Sequence, residues 1–206
     1  MNKFSVIMTV CDNGRELEQH LPAFLTQDYE PGYEVIVVDE SSADNTDDVL
    51  KLQKQHNPQL YTTFLPKPDR KVTRKKLALT IGVKAAKYEW VILSDIMSFP
   101  YSATWLQEVS EALDDTTEAM IGYFRKEDIR LQAFEEISQA RSIIRKAERK
   151  RADGHRGKYL KYLRGKYDFI VVRKDKAHDL LKYFEQKIGA GRLLGLRISV
   201  MCHNLR

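Results

Sequence analysis

Short apolar runs alternate with amphipathic stretches through the first half of the chain, and this alternation predicts strand, helix, strand, helix. Phe4 to Val10 reads FSVIMTV, a run of β-formers that ends in the polar Cys11, Asp12 and Asn13 and in Gly14. Leu17, Leu21, Phe24 and Leu25 then recur at helical spacing before the Pro31, Gly32 pair. Glu34 to Val38 reads EVIVV, a second buried strand that runs into Asp39, Glu40, Ser41 and Ser42. Asp44 is placed to cap the next helix, with Asp47 near its positive end and Val49 and Leu52 as its inward stripe. Tyr61 to Leu65 makes a third strand. Arg74 to Ala86 makes a helix with Leu77, Ala78, Ile81 and Ala85 inward, and Trp90 to Leu93 a fourth strand. Continuous apolar strands separated by helices predict an α/β fold, a single domain whose mostly parallel central sheet is flanked by helices.

In a parallel sheet the carboxyl ends of the strands share one edge, which is where ligands bind. Three polar pairs follow three of the strands here: Asp12 and Asn13, Asp39 and Glu40, Ser94 and Asp95. The loop VCDNGRE holds only Gly14, so the glycine fingerprint of dinucleotide binding is absent, and no P-loop pattern occurs. A carboxylate after the second strand can accept hydrogen bonds from a ribose or a base N–H. Lys75, opening the next helix, can offset diphosphate charge, and Asp95 is a candidate ligand for a hard divalent cation.

The second half is less regular. Ala119 to Phe124 (AMIGYF) predicts a fifth strand, and Ala133, Ile137, Ala140, Ile144 and Ala147 predict an amphipathic helix over 129–150. After Gly154 and Gly157 comes HRGKYLKYLRGKY, then a late strand, Asp168 to Arg173, and a helix from Lys174 to Lys187.

With 206 residues, 43% of them hydrophobic, the chain can bury a core without disulfides or a structural metal. Its two cysteines, Cys11 and Cys202, are far apart and match no zinc, haem or secreted disulfide spacing. No apolar run approaches the roughly 20 residues that cross a bilayer, and no signal-like stretch follows Lys3, so a cytoplasmic protein is expected. Charge changes the picture more. The net +5 conceals 14 Lys or Arg against 6 Asp or Glu between Arg125 and Lys166, a local +8 that leaves −3 elsewhere. Such a stretch suits an anionic lipid surface, an anionic substrate or nucleic acid, or is simply a solvated face.

The chain resembles the family 2 glycosyltransferases, inverting enzymes of the GT-A fold that use nucleotide sugars. The likeness runs through FSVIMTVCDNGRELEQHLPAFLTQDYEPGYEVIVVDESSADNT and RKKLALTIGVKAAKYEWVILSDIMSFPYSATWL, about the first 106 residues. It implies one domain over 1–206, with a nucleotide-sugar-binding half, 1–106, and a divergent acceptor-side half, 107–206, that carries the basic segment 125–166. By the same resemblance, the loop around Thr9 and Cys11 borders the base of a uridine or related nucleotide. Asp39 and Glu40 stand where the family has two adjacent Asp residues for base and ribose. Lys75 lies beside the diphosphate, with Arg74 in place of the usual glycine. Asp95 is the first Asp of the family's DxD motif and a ligand of Mg2+ or Mn2+.

Two positions depart from that pattern. Met97 stands where the second metal-binding Asp belongs, and a thioether suits a hard cation poorly, so weak or absent divalent-metal binding is expected. The family's late acidic pair, one member of which deprotonates the acceptor, is missing from KIGAGRLLGLRISVMCHNLR, which has no carboxylate after Glu185. Asp128 and Asp168 are the substitutes available, whereas His155, His178 and His203 sit in unrelated contexts. The resemblance implies transfer of a sugar from a UDP- or related nucleotide sugar to an acceptor hydroxyl, in cell-surface polysaccharide or glycolipid synthesis. The alternative is a catalytically inactive relative that binds nucleotide or another protein. A peripheral contact of 141–166 with the anionic inner face of the membrane is compatible with sugar transfer, and nucleic-acid binding is much less so.

Overall fold

Seven strands make one sheet whose order, β3-β2-β1-β4-β6-β5-β7, places the first strand near its centre. The computed structural model describes residues 1–66, 74–114, 117–125, 168–185 and 198–204. The strands are β1 (Phe4–Val10), β2 (Tyr33–Asp39), β3 (Leu60–Phe64), β4 (Trp90–Ser94), β5 (Ala119–Arg125), β6 (Phe169–Arg173) and β7 (Ile198–Asn204). The helices are α1 (Gly14–Leu25), α2 (Thr46–His56), α3 (Arg74–Ala85), α4 (Trp105–Ala112) and α5 (Lys174–Glu185). β1 pairs parallel with β2 and β4, β2 with β3, and β5 with β7. Only β6 is reversed among these strands, antiparallel to both β4 and β5. The expected α/β domain with a mostly parallel sheet is therefore the one found. The helix expected over 129–150, the basic stretch after Gly154, Asp128 and His155 lie outside the described residues.

Burial on both faces explains why the inner strands read as unbroken apolar runs. Every residue of β1 is buried. Side chains of β1 alternate, so Phe4, Val6, Met8 and Val10 join Leu17, Leu21 and Phe24 of α1, Val49 of α2 and Trp105 of α4. Ile7 turns the other way, to Ala78, Leu79 and Val83 of α3 and to the cluster that includes Ala177 and Leu181 of α5. Trp105 meets Phe24, Phe124 and Phe169 edge-on, with ring centroids 5.2–5.9 Å apart.

Two helix stripes differ from expectation. The buried positions of α3 are Ala78, Leu79, Gly82 and Val83, while Leu77 is exposed and Ile81 and Ala85 are only partly covered. In α2 the inward residues are Thr46, Val49 and Leu50, and Leu52 faces solvent. Close approach decides the first case: a Cβ at Gly82 would lie 2.4 Å from Ile7 Cγ2, so α3 rests directly on β1 through its glycine. The stretch Ile198–Asn204, without a strand expectation, completes the sheet beside β5.

The amino edge of the sheet uses its buried carboxylate structurally. Glu34 accepts hydrogen bonds from Ser5 Oγ (2.7 Å) and from the Lys87 amide (2.6 Å), which satisfies it away from the carboxyl edge.

Candidate functional site

At the carboxyl edge the ends of β2, β1 and β4 lie side by side. Val10 is level with Asp39 across the β1–β2 pair, and Ile7 is level with Leu93 across β1–β4. Asp39 and Asp95 thus flank the end of β1, two strand spacings or roughly 10 Å apart. Both belong to one rim.

The loops after β1 and β2 are laced together by side chain to backbone bonds. The Asp39 carboxylate is nine-tenths buried, and its Oδ1 accepts from Ser42 N (2.9 Å) and Ser42 Oγ (2.6 Å). Ser42 Oγ also accepts from the Asp12 amide (2.9 Å), while Asp12 Oδ1 accepts from the Ala43 amide (2.6 Å). Asp44 Oδ2 accepts from the Gly14 amide (2.9 Å), Asp44 Oδ1 accepts from the Thr46 amide (3.0 Å), and Thr46 Oγ1 accepts from the Asn13 amide (3.1 Å). Asp44 therefore joins the two loops and also accepts from the amide of the first α2 residue, whereas Asn45 at the N-cap position makes no side-chain cap bond. Gly14 packs closely here: a Cβ would lie 2.0 Å from Oδ1 of the exposed Asn45 side chain and 3.1 Å from Asp44 Oδ2. Asp12 and Ser41 hold left-handed backbone angles, φ 54° and 65°, strained positions for residues with side chains.

Thr9 is buried within β1, as the strand expected over Phe4 to Val10 has it, below the loop that starts at Cys11 and on the strand face that looks toward α3. Cys11 is exposed at the rim. Its thiol is raised above the ordinary value, first by partial desolvation and then by the negative charges of Asp12 and Glu40, against which Arg74 acts. It is a neutral thiol at pH 7 and a poor nucleophile. Glu40 donates its amide to Val10 O (2.8 Å), which holds the second loop against the end of β1.

The first turn of α3 spans the rim. Arg74 donates from Nη2 to the Glu40 carbonyl, after β2, and the next residue, Lys75, pairs through Nζ with Asp95 Oδ2 (3.2 Å), after β4. Asp95 Oδ1 accepts from the Met97 amide (3.1 Å), and the Asp95 carbonyl accepts from Ser98 N (3.0 Å), closing a tight turn. His20 of α1 fastens the same turn, with Nδ1 2.9 Å from Ile96 O and its ring stacked on Phe99 at 4.1 Å.

Asp168 precedes β6 at this edge. Its Oδ1 accepts from Ser98 Oγ (3.2 Å) and its Oδ2 from the Phe124 amide (2.7 Å). Both oxygens are engaged in joining three segments, which makes Asp168 a positioning residue in this state. His178 is exposed on α5. Asp39, Glu40, Lys75, Asp95 and Cys11 are thus brought to one rim, whereas Thr9 is buried beneath it. Ser42, Arg74 and Ser98 are the contributors that sequence reasoning underrated. Ser42 carried a local signal, a hydroxyl three residues after a strand-end Asp, the spacing of a side-chain turn.

The glycosyl transferase family 2 sequence model matches residues 5–181. The chain belongs to that family. No curated protein matches it. Among solved structures it is similar to the mannosyltransferase PcManGT from Pyrobaculum calidifontis in complex with GDP-Man and Mn2+. That match has a TM-score of 0.60 and 18% identity, over 98% of this chain and 56% of that one. It is also similar to S. aureus TarS 1-349 in complex with UDP-GlcNAc, with a TM-score of 0.59 and 16% identity over 99% of this chain and 59% of that one. A further TarS 1-349 structure matches at a TM-score of 0.50 and 20% identity over 61% of this chain. The chain spans 36% of that TarS structure and 56% of the mannosyltransferase. At these identities the likeness establishes the GT-A fold.

The donor set does not suit the divalent cation that the fold family implies. A hard cation needs several oxygen ligands, and here one Asp95 oxygen faces an ammonium, the other faces an amide, and the second motif position carries a thioether. Among the described residues no cluster of three or more His, Cys, Asp or Glu side chains is arranged to hold a metal.

Proposed function

We propose that this chain transfers a sugar from a nucleoside-diphosphate sugar to an acceptor hydroxyl. The observation that carries this reading is the convergence of Asp39, Glu40, Lys75 and Asp95 on one rim that α3 spans, in a family 2 chain. Asp39 and Glu40 recognise the nucleoside, with Cys11 beside it and Thr9 supporting the loop from below. Lys75 meets the diphosphate. In the transfer, the acceptor oxygen forms a bond to the anomeric carbon while the bond from that carbon to the diphosphate oxygen breaks. The electron pair leaves with the nucleoside diphosphate, and the acceptor proton passes to a carboxylate base. Incubation with a panel of UDP- and GDP-sugars, with mass detection of released diphosphate and glycosylated product, tests the assignment. Product from any donor supports it.

Met97 and the engaged Asp168 favour a second reading, a relative that binds the nucleotide without turnover. Measurable nucleotide binding with neither hydrolysis nor transfer decides for it. The basic stretch 141–166 supports a peripheral contact with the anionic cytoplasmic face of a membrane. No helix among the described residues is long and apolar enough to cross one. Neutralising Arg156, Lys158 and Lys161 should weaken binding to anionic liposomes, and unchanged binding rejects the surface contact.

A further inference from the structure

Lys75 pairs with Asp95, the first position of the family's metal motif, so the chain itself supplies a cation at that residue. The Lys75 ammonium lies 3.2 Å from Asp95 Oδ2, and both side chains are accessible, 61% and 43% exposed. An ammonium has three N–H donors, so one bond to Asp95 leaves two for phosphate oxygens. The remaining Asp95 oxygen accepts from the Met97 amide, and Met97 is 60% exposed. The first turn of α3 contains Arg74, Lys75 and Lys76 and no acidic residue, so three side-chain cations reinforce the positive end of the helix. Side-chain cations on an exposed rim attract the oxygens of a polyanion.

We propose that Lys75 takes the place of the divalent metal, with Asp95 as its positioning residue, so that nucleoside-diphosphate recognition at this site is independent of metal. The inference rests on the nucleotide-sugar reading and deepens it. Lys75 contacts the diphosphate oxygens in the bound state and balances the extra negative charge that the departing diphosphate gains as the bond to the anomeric carbon breaks. Asp95 keeps the ammonium over the rim and is not a metal ligand.

Two measurements on the full chain separate this inference from the reading beneath it. In calorimetric titration, UDP and GDP are added with EDTA or with Mn2+, and in electron paramagnetic resonance the free Mn2+ signal is followed with protein alone. The expected results are nucleotide affinity equal within about twofold in EDTA and Mn2+, and a loss of about tenfold or more in Lys75→Ala and Lys75→Gln under both conditions. The native chain leaves the free Mn2+ signal intact, whereas Met97→Asp reduces it. Asp95→Asn weakens nucleotide binding a few-fold and leaves it insensitive to Mn2+. Stoichiometric Mn2+ retention by the native chain, or nucleotide binding that appears only with Mn2+, overturns metal independence while leaving the nucleotide reading intact. Binding of neither nucleotide under either condition overturns both.

Discussion

The carboxyl ends of β2 and β4 each place a carboxylate on the same rim, and the two are held in opposite ways. Asp39 is nine-tenths buried and bonded by its own loop, which is in turn bonded to the loop after β1. Asp95 is exposed and tied to a long, flexible lysine across the crevice. A buried carboxylate with two hydrogen bonds contributes to folding and has little freedom to exchange partners. An exposed ion pair contributes almost nothing to stability and can trade its partner for a ligand. The Asp39 end of the rim is therefore held by the fold itself, and the Asp95 end is able to exchange its ion-pair partner for a ligand.

Substitutions at the two ends should separate cleanly. The largest effect is expected from Asp39→Ala, which strips both Ser42 bonds from a buried site: a loss of about 2–3 kcal/mol in urea unfolding, together with loss of UDP binding. Gly82→Ala comes next. Its new methyl group presses on Ile7 and lifts α3, costing about 1–2 kcal/mol and weakening nucleotide binding without altering any rim side chain.

Acid titration probes the laced loops alone. Asp44 is held below the ordinary carboxylate range, chiefly by its hydrogen bond with the Thr46 side chain and further by the Gly14 and Thr46 amides. A depressed folded-state value means that this stabilisation is complete above the unfolded pKa and is lost as pH falls through the folded one. Unfolding followed from about pH 5 downward should show a steeper acid loss in the native chain than in Asp44→Asn. The smallest effect on folding is expected from Lys75→Ala, within about 0.5 kcal/mol of the native chain in the same assay. Were its effect on folding to match that of Asp39→Ala, the contrast between the two ends would collapse.

The central strands were legible because burial on both faces writes them as uninterrupted apolar runs, as in FSVIMTV and EVIVV. Their polar ends were legible for the complementary reason: Asp39 and Asp95 break those runs at the edge where a parallel sheet opens. The inward face of α3 was misassigned because Leu77, Ala78, Leu79, Ile81 and Val83 give it little polar contrast, and the contact that orients it is made by a glycine. Leu52 was misassigned because its spacing from Val49 fits a helical stripe, whereas the turn is set by Thr46 and Leu50 packing inward. The bonds between Ser42 and Asp12 and between Arg74 and Glu40 join residues about 30 positions apart, which no local pattern encodes. β7 was missed because ISVMCHN is neither continuously apolar nor strictly alternating, and its place follows from pairing with β5.

The reversal of β6 carries one more consequence. Because β5 and β6 are antiparallel neighbours, β5 ends and β6 begins at the same rim, where Phe124 N donates to Asp168 Oδ2 at 2.7 Å and Asp168 N to Gly122 O at 2.9 Å. Residues 126–167 thus depart from and return to a single clasp, one serine away from Asp95. The register of β5 and β6 is therefore set by their own pairing and by this clasp, whatever the length of chain between residues 125 and 168.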